Sequence, residues 1–448
     1  TYHTDMIILW TDALIFILIS VLILAIFNVR KKEQFIRPWK KVTHSRTAMV
    51  SLIVLLCFMF IGILDSVHFK PSDSKQNEMI SVLDYWANPI RLNQEKSYSA
   101  PFSAYLYSKE LIVAKNQTRS WSYPRLEYGA SHLQDVEADK IGDIIGKAAL
   151  GFVKGAGIIL LIFCAYHYLK KLPFFSNKAV NTVFTTLFLI STINYMLVDL
   201  SSYYHVLGTD KVGEDVFYQA IKSIRTGLVI GSLTTLIMLP MAIIFGILAG
   251  FFRGWVDDVI QYIYTTLNSI PGVLLIAASI LMVQVYMANH QEQFTSLVAR
   301  ADMRLLFLCL ILGVTSWTGL CRLLRAETLK LREMEYVQAA QALGVPRYLI
   351  LYRHILPNVM HIVLISVVLD FSSLVLAEAV LSYVNIGVDP TTYSWGNMIN
   401  GARLEMAREP IVWWSLAASF VFMFSLVLAA NLFADTVRDA FDPRRAES

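Results

Sequence analysis

TGLVIGSLTTLIMLPMAIIFGILAG, residues 226 to 250, runs for 25 positions without a charged side chain. Crossing a hydrocarbon core of about 30 Å takes about 20 mostly apolar residues as helix, because lipid offers no partner to an open backbone N–H or C=O. Outward from that stretch, eight further segments have or approach the same character: 6 to 28, 47 to 67, 148 to 168, 180 to 200, 264 to 288, 304 to 321, 359 to 382 and 412 to 434. Composition agrees. The 448 residues are 56% hydrophobic and 16% charged, with mean hydropathy +0.53, whereas soluble domains carry about 25% charged residues. No strand-like alternation over ten-residue units is present, which argues against a membrane barrel. The expected fold class is an all-α polytopic membrane protein of about nine transmembrane helices.

The positions of the basic residues orient these spans. Arg30, Lys31, Lys32, Arg37, Lys40, Lys41 and Arg46 stand against Glu33 alone between the first two, which puts that loop in the cytoplasm and the N-terminus outside. Lys170, Lys171 and Lys178 place the next short loop inside, as do Arg322, Arg325, Lys330, Arg332, Arg347 and Arg353 for 322 to 357. The C-terminus, with Arg438, Arg444 and Arg445, is then cytoplasmic. Two short loops disagree: 251 to 262 holds Asp257 and Asp258 yet falls inside, and 289 to 303 holds Arg300 yet falls outside. The larger loops decide. A net charge of +4 gives no reason to expect a nucleic-acid partner. The first span reads as an uncleaved anchor, since its charges follow the apolar run. Cys57, Cys164, Cys309 and Cys321 fall in or at the ends of spans with no metal-ligand spacing, so they read as packing residues.

Five regions follow: an N-terminal anchor with its basic loop (1–46), a span (47–67), an external polar subdomain (68–147), a hairpin of spans (148–200), and a feature-dense remainder (201–448). The aromatics of 68–147, among them Tyr85, Trp86, Trp121 and Tyr123, suit either a small core or a docking face. The loop 322–357 is the most informative stretch. From Arg325 it has good helix formers and no Gly or Pro until Gly344, which suits a helix C-cap, with Pro346 blocking continuation. It predicts helix, sharp turn, helix. Ala339, Ala340 and Ala342 are small, so another protein can approach closely, and a helix laid in a groove is a common means of grip between chains.

This segment resembles the cytoplasmic coupling loop of binding-protein-dependent ABC importer permeases. Their pattern, Glu-Ala-Ala, three residues, Gly, then a terminal Leu-Pro, stands here as Gln338-Ala339-Ala340, Gly344 and His354-Ile355-Leu356-Pro357. Gln338 replaces the usual Glu, removing a charge but keeping a hydrogen-bonding side chain, with Glu335 nearby. Further matches resemble the C-type membrane subunit of oligopeptide, dipeptide and nickel importers. They include Arg37-Pro38-Trp39, Gly208-Thr209-Asp210 with Asp215, Gly254-Trp255-Val256-Asp257, Glu378 with Gly387, Trp395-Gly396-Asn397-Met398, and Arg438 through Asp442-Pro443-Arg444. Glu214 stands where the family usually has Arg.

The resemblance implies a six-helix permease core, mapping to 47–67 and the last five spans, with the first span and 148–200 as additions. Either an accessory packing surface or a second pathway would account for those. It implies a bacterial inner-membrane location and several partners: a homologous B-type permease subunit, two ABC ATPase subunits or one fused ATPase, and a periplasmic or lipid-anchored binding protein. Glu335, Gln338, Ala339, Ala340, Ala342, Leu343, Gly344 and Pro357 would couple to the ATPases, with 333–344 as the lever. Gly208, Thr209, Asp210 and Asp215 form the family motif on the outer side.

No Gly-x-x-x-x-Gly-Lys-Ser/Thr occurs, so ATP and Mg are expected on partner chains, with no cofactor, metal or catalytic residue here. The chain is not expected to be an enzyme. Asp370 and Glu378, ionisable within one span, are pathway candidates. They read equally as a helix-pairing group and a turn cap. Trp395, Asn397 and Met398 suit a short helix near the outer gate, although Trp395 also suits an interface anchor. His361 and Asn431 read as packing groups. The resemblance favours di- and oligopeptides as cargo, with nickel chelates or another peptide-like solute as the alternative and a non-transporting scaffold as the lesser one.

Overall fold

The computed structural model describes residues 5–29, 33–70, 79–113, 119–169, 177–290 and 296–441. Of the residues used above, Arg30, Lys31, Lys32, Lys170, Lys171, Asp442, Pro443, Arg444 and Arg445 lie outside that set.

Short strands and helices open the chain: β1 (Asp5–Ile7), α1 (Trp10–Val29), α2 (Glu33–His44), α3 (Arg46–Ser66), β2 (His68–Lys70), β3 (Ile80–Ser81), α4 (Val82–Trp86), α5 (Asn88–Arg91), β4 (Glu110–Val113) and β5 (Arg119–Ser122). Long helices follow: α6 (Val136–Leu169), α7 (Asn177–Ser201), α8 (Val216–Phe252), α9 (Gly254–Ser269), α10 (Gly272–Asn289), α11 (Leu297–Ser316) and α12 (Thr318–Arg332). The chain ends with α13 (Glu335–Ala342), α14 (Arg347–Ile350), a π turn (Leu351–Ile355), α15 (Leu356–Tyr383), α16 (Trp395–Glu405) and α17 (Trp414–Phe441). The five short strands depart from a purely helical reading.

Among the described residues, seven helices are long and apolar enough to cross a membrane: Arg46–Ser66, Val136–Ala165, Val180–Ser201, Val216–Phe252, Gly272–Asn289, Arg347–Tyr383 and Trp414–Phe441. Seven of the nine expected segments thus have such a helix. The segment 6 to 28 yields α1, whose apolar part, Trp10–Leu24, is shorter. The segment 304 to 321 is divided, since α11 ends at Ser316 and carries Arg300, Asp302 and Arg304 in its first turns. The segment 264 to 288 also proves to be two helices. Pro271 has no N–H and forces Ile270 into an extended conformation (φ −88°, ψ 130°), which ends α9. The helix α6 starts at Val136, so it runs through the boundary expected between 147 and 148.

The chain divides into two compact units, the first comprising 1–7, 40–226 and 393–429, the second 8–39, 227–392 and 430–448. In the first, β1 pairs antiparallel with β2, Met6 opposite Phe69, and β2 pairs with β3. The hairpin α6–α7 packs by close approach of backbone. A Cβ at Gly155 would lie 2.7 Å from Thr192 Cα, and one at Gly151 2.6 Å from the Tyr195 carbonyl. Small residues spaced by four are the usual means of drawing two membrane helices together.

In the second unit, Thr11 of α1 donates to Asp302 of α11 from both its N–H and its hydroxyl. Leu14 and Ile15 pack there on a core of Ile230, Leu233, Leu305, Leu308 and Leu312. A second core joins Ile247, Phe251, Leu320, Leu324, Val337, Ile350 and Val359. All four cysteines are free, and Cys309 and Cys321 are buried.

Candidate coupling surface and outer junction

The expected single helix from Arg325 to Leu343 is in fact two. It breaks at Glu333 and Met334, and Met334 is extended (φ −73°, ψ 142°) as N-cap of α13. Glu335 sits in the first turn of α13, where the helix dipole favours an acid. At its other end the Gly344 N–H donates to the Gln341 carbonyl and the Val345 N–H to the Ala340 carbonyl, at 3.0 and 3.1 Å. Those paired bonds require a left-handed residue between them. Gly344 supplies it at φ +77°, with open space around its Cα. The demand there is on backbone angle alone.

Burial divides α13 cleanly. Val337 and Ala340 turn into the core, 0% and 8% exposed, while Glu335, Gln338, Ala339, Ala342 and Gly344 face outward and Leu343 is 83% exposed. Gln338 Nε2 donates to the Glu333 carbonyl at 3.3 Å, a bond the carboxylate usual at this position cannot make. Pro357 is exposed at the first turn of α15. Its ring opposes a normal turn against the residue four before it, and the chain widens into the π turn just ahead, with the Leu356 N–H reaching the Leu351 carbonyl. Asn358 Nδ2 donates to the Tyr336 hydroxyl at 3.1 Å, tying the start of α15 back to α13.

Two groups near this surface carry signals that sequence reading missed or misread. Asp257, which argued against a cytoplasmic loop, accepts from Arg325 Nε and Nη2 at 2.6 and 2.7 Å. These hydrogen bonds hold the Asp257 carboxyl below its usual range and the guanidinium above its own. Gly246 and Gly250, a Gly-x-x-x-Gly pair in plain view, lie where α8 meets α12. A Cβ would come within 2.8 Å of Leu324 Cβ at the first and 2.6 Å of Thr328 Cβ at the second.

The family motif at 208–215 is a hydrogen-bonded junction within the first unit. Thr209 Oγ1 donates to the Ser97 carbonyl and accepts from the Ser99 N–H, and the Thr209 carbonyl accepts from Trp414 Nε1. The Gly208 carbonyl accepts from the Val216 N–H. Asp210 accepts from the Val212 and Glu214 N–H groups and from Gln219. Glu214 accepts from Gln219 Nε2 at 2.9 Å and from the Tyr393 hydroxyl at 3.3 Å. Asp215 caps α8 through the Phe217 and Tyr218 N–H groups, while its other oxygen is 2.7 Å from His205 Nδ1.

Behind His205 stands Glu95, which accepts from the N–H groups of Glu127, Tyr128 and Gly129, each at 2.9 Å. Burial works against charge on both groups, but their hydrogen bonds win. His205, between Asp215 and Glu95, is raised to about 9, and Glu95, held by His205 and the three N–H groups, falls to about 2. Neither residue was singled out from the sequence: Glu95 lies 110 positions from His205, and the ten-residue spacing of His205 and Asp215 carries no recognisable pattern.

Glu378 is 1% exposed and accepts from Ser382, whose hydroxyl also receives the Val388 N–H. Asp370 is partly exposed, and eight residues correspond to about 80° of rotation around a helix. Trp395 is 1% exposed and donates to the Ala220 carbonyl at 3.1 Å. The Asn397 N–H is capped by Ser394, and Met398 is buried with its sulfur 3.6 Å from the Ser223 hydroxyl. Asn431 accepts from Ser372, and His361 is partly buried.

The described residues form a polytopic helical membrane protein that presents a helix–turn–helix between long apolar helices. Residues 242–447 match the model of the binding-protein-dependent transport system inner membrane component. The chain is 30% identical over 243 residues to the dipeptide transport system permease protein DppC of Lactococcus lactis, a match covering 54% of this chain and 65% of that one. It is 31% identical over 240 residues to the glutathione transport system permease protein GsiD of Pectobacterium atrosepticum, with 54% and 73% covered. With the oligopeptide transport system permease protein OppC of Haemophilus influenzae it shares 30% over 242 residues, with 54% and 71% covered. This chain belongs to the family of binding-protein-dependent transport system inner membrane components.

Proposed function

We propose that this chain is the C-type membrane subunit of an ATP-driven importer of di- or oligopeptides, contributing half of a translocation pathway in a bacterial inner membrane. Its partners in this reading are a B-type permease subunit, ATPases on separate chains that bind ATP and Mg, and an external binding protein. The N-terminus and 68–147 face outward and the C-terminus faces the cytoplasm. The observation that carries the reading is the two-sided α13, with Val337 and Ala340 in the core and Ala339, Ala342 and Leu343 offered outward. Closure of the ATPases would push on that face and tilt the spans between inward-open and outward-open states. Asp370, partly exposed within α15, is then the foremost candidate for attracting a peptide's amino terminus. The dipeptide, glutathione and oligopeptide permeases among the relatives support the class of cargo.

The test is purification with co-purifying subunits, followed by ATP hydrolysis in liposomes with and without di- to octapeptides. Peptides are expected to stimulate hydrolysis, and Gly344→Pro, which forbids φ +77°, is expected to abolish the response in an assembled complex. A response to nickel chelates in place of peptides would keep the permease and change its cargo. Recovery of no ATPase would overturn the reading.

A further inference from the structure

We infer that the lever drives α8 as well as α15, through a clamp between α12 and the α8–α9 corner in which Asp257, Arg325, Gly246 and Gly250 are the positioning residues. This rests on the reading of α13 as the coupling helix. Three kinds of contact build the clamp, all within the second unit. The backbones of α8 and α12 approach closely at two points about one turn apart. A Cβ at Gly246 would lie 2.9 Å from the Cys321 carbonyl oxygen, and one at Gly250 2.7 Å from that of Arg325. At both positions α8 interposes no side chain of its own, and Leu324 and Thr328 of α12 sit directly on it, so displacement of one helix is felt by the other. Beside this seam, Arg325 grips Asp257 of α9 with two parallel bonds, a geometry that fixes direction as well as distance.

The third contact lies where α12 gives way to α13. Arg332 Nη1 donates to the Phe251 carbonyl at 2.9 Å, and Arg253 Nη2 to Glu333 at 2.8 Å. Arg253 holds φ 54°, ψ −171°, a backbone state that persists only where its surroundings impose it. Only Glu333 and Met334 separate α12 from α13. On its other side α13 reaches α15 through a glycine turn, the four residues of α14 and a π turn. Along the chain the route to α8 is the shorter, while the Asn358–Tyr336 bond ties α13 to α15 directly.

The experiment uses the purified complex in proteoliposomes and reads peptide transported per ATP hydrolysed. Asp257→Arg and Arg325→Asp are each expected to lower that ratio about tenfold, and the double swap to restore most of it, as a coupling free energy shared by one pair requires. If either reversal prevents assembly, Asp257→Asn and Arg325→Lys decide, with an expected fall of about threefold. A wild-type ratio in the assembled variants overturns the clamp. A general loss of stability would lower transport and hydrolysis together and leave the ratio unmoved, which also overturns it. Should the wild type recover no ATPase, the coupling reading falls instead, so the two failures are distinguishable.

Discussion

His205 carries two acids, and its environment makes a pH dependence explicit. The folded protein keeps His205 protonated up to about 9, whereas an unfolded histidine releases its proton near the ordinary value of 6.5. The pairing with Asp215 and Glu95 therefore stabilises in full below pH 6.5, and the stabilisation is lost as the pH rises through 9. Glu95 sets the acid limit, since its carboxyl, at about 2 in the fold and 4.5 ordinarily, contributes in full above 4.5 and fails as the pH falls toward 2. Thermal melts of the detergent-solubilised protein should show a plateau between about pH 4.5 and 6.5 and a decline above it. Glu95→Gln should cost about 3 kcal/mol by leaving a buried charge half-paired. A melt that stays flat from pH 6 to 10 would refute the pairing.

Single helices and turns were legible to different degrees, for identifiable reasons. The end of α13 at Gly344 and the short α16 after Ser394 both follow from local chemistry, a left-handed cap and a serine N-cap. The break at Glu333–Met334 was not legible. Neither residue is a helix breaker, and the bend is imposed by the burial of Val337 and Ala340 and by the anchors at Arg332 and Glu333. Pro271 was visible, but apolar residues on both sides concealed its effect on 264 to 288. The hairpin α6–α7 invites a test at this scale. Gly155→Leu places a branched side chain against Thr192 Cα and the Ser191 carbonyl, at 2.7 and 2.8 Å from the first added carbon. Cysteines placed at Phe152 and Phe188, whose rings meet across the hairpin at 6.2 Å, should then cross-link less readily than in the parent hairpin. Unchanged cross-linking would show that the close approach is dispensable.

For the molecule as a whole, membrane class and family were legible because lipid imposes a composition and the loop 322–357 carries the family's spacing. Most of the pairings that hold the site were not, since Asp257 and Arg325 are 68 positions apart and Glu95 and His205 are 110 apart. The same distance explains why Asp257 argued against the cytoplasmic loop, as its charge is answered by Arg325. Orientation can be tested in a cysteine-free background. Ser131→Cys and Ala342→Cys, both at exposed positions, are expected to react with an impermeant maleimide from opposite sides, Ser131→Cys in intact cells and Ala342→Cys only after permeabilisation. Labelling of both from one side would reverse the assignment of 68–147 or of the coupling loop. The strand β1 bears on the same question through biogenesis. Its partners β2 and β3 emerge from the ribosome only after α1 and α3 have been made. With both helices read as spans, the three-stranded sheet closes only once the chain has entered the membrane and returned, so its formation timestamps the first completed insertion event.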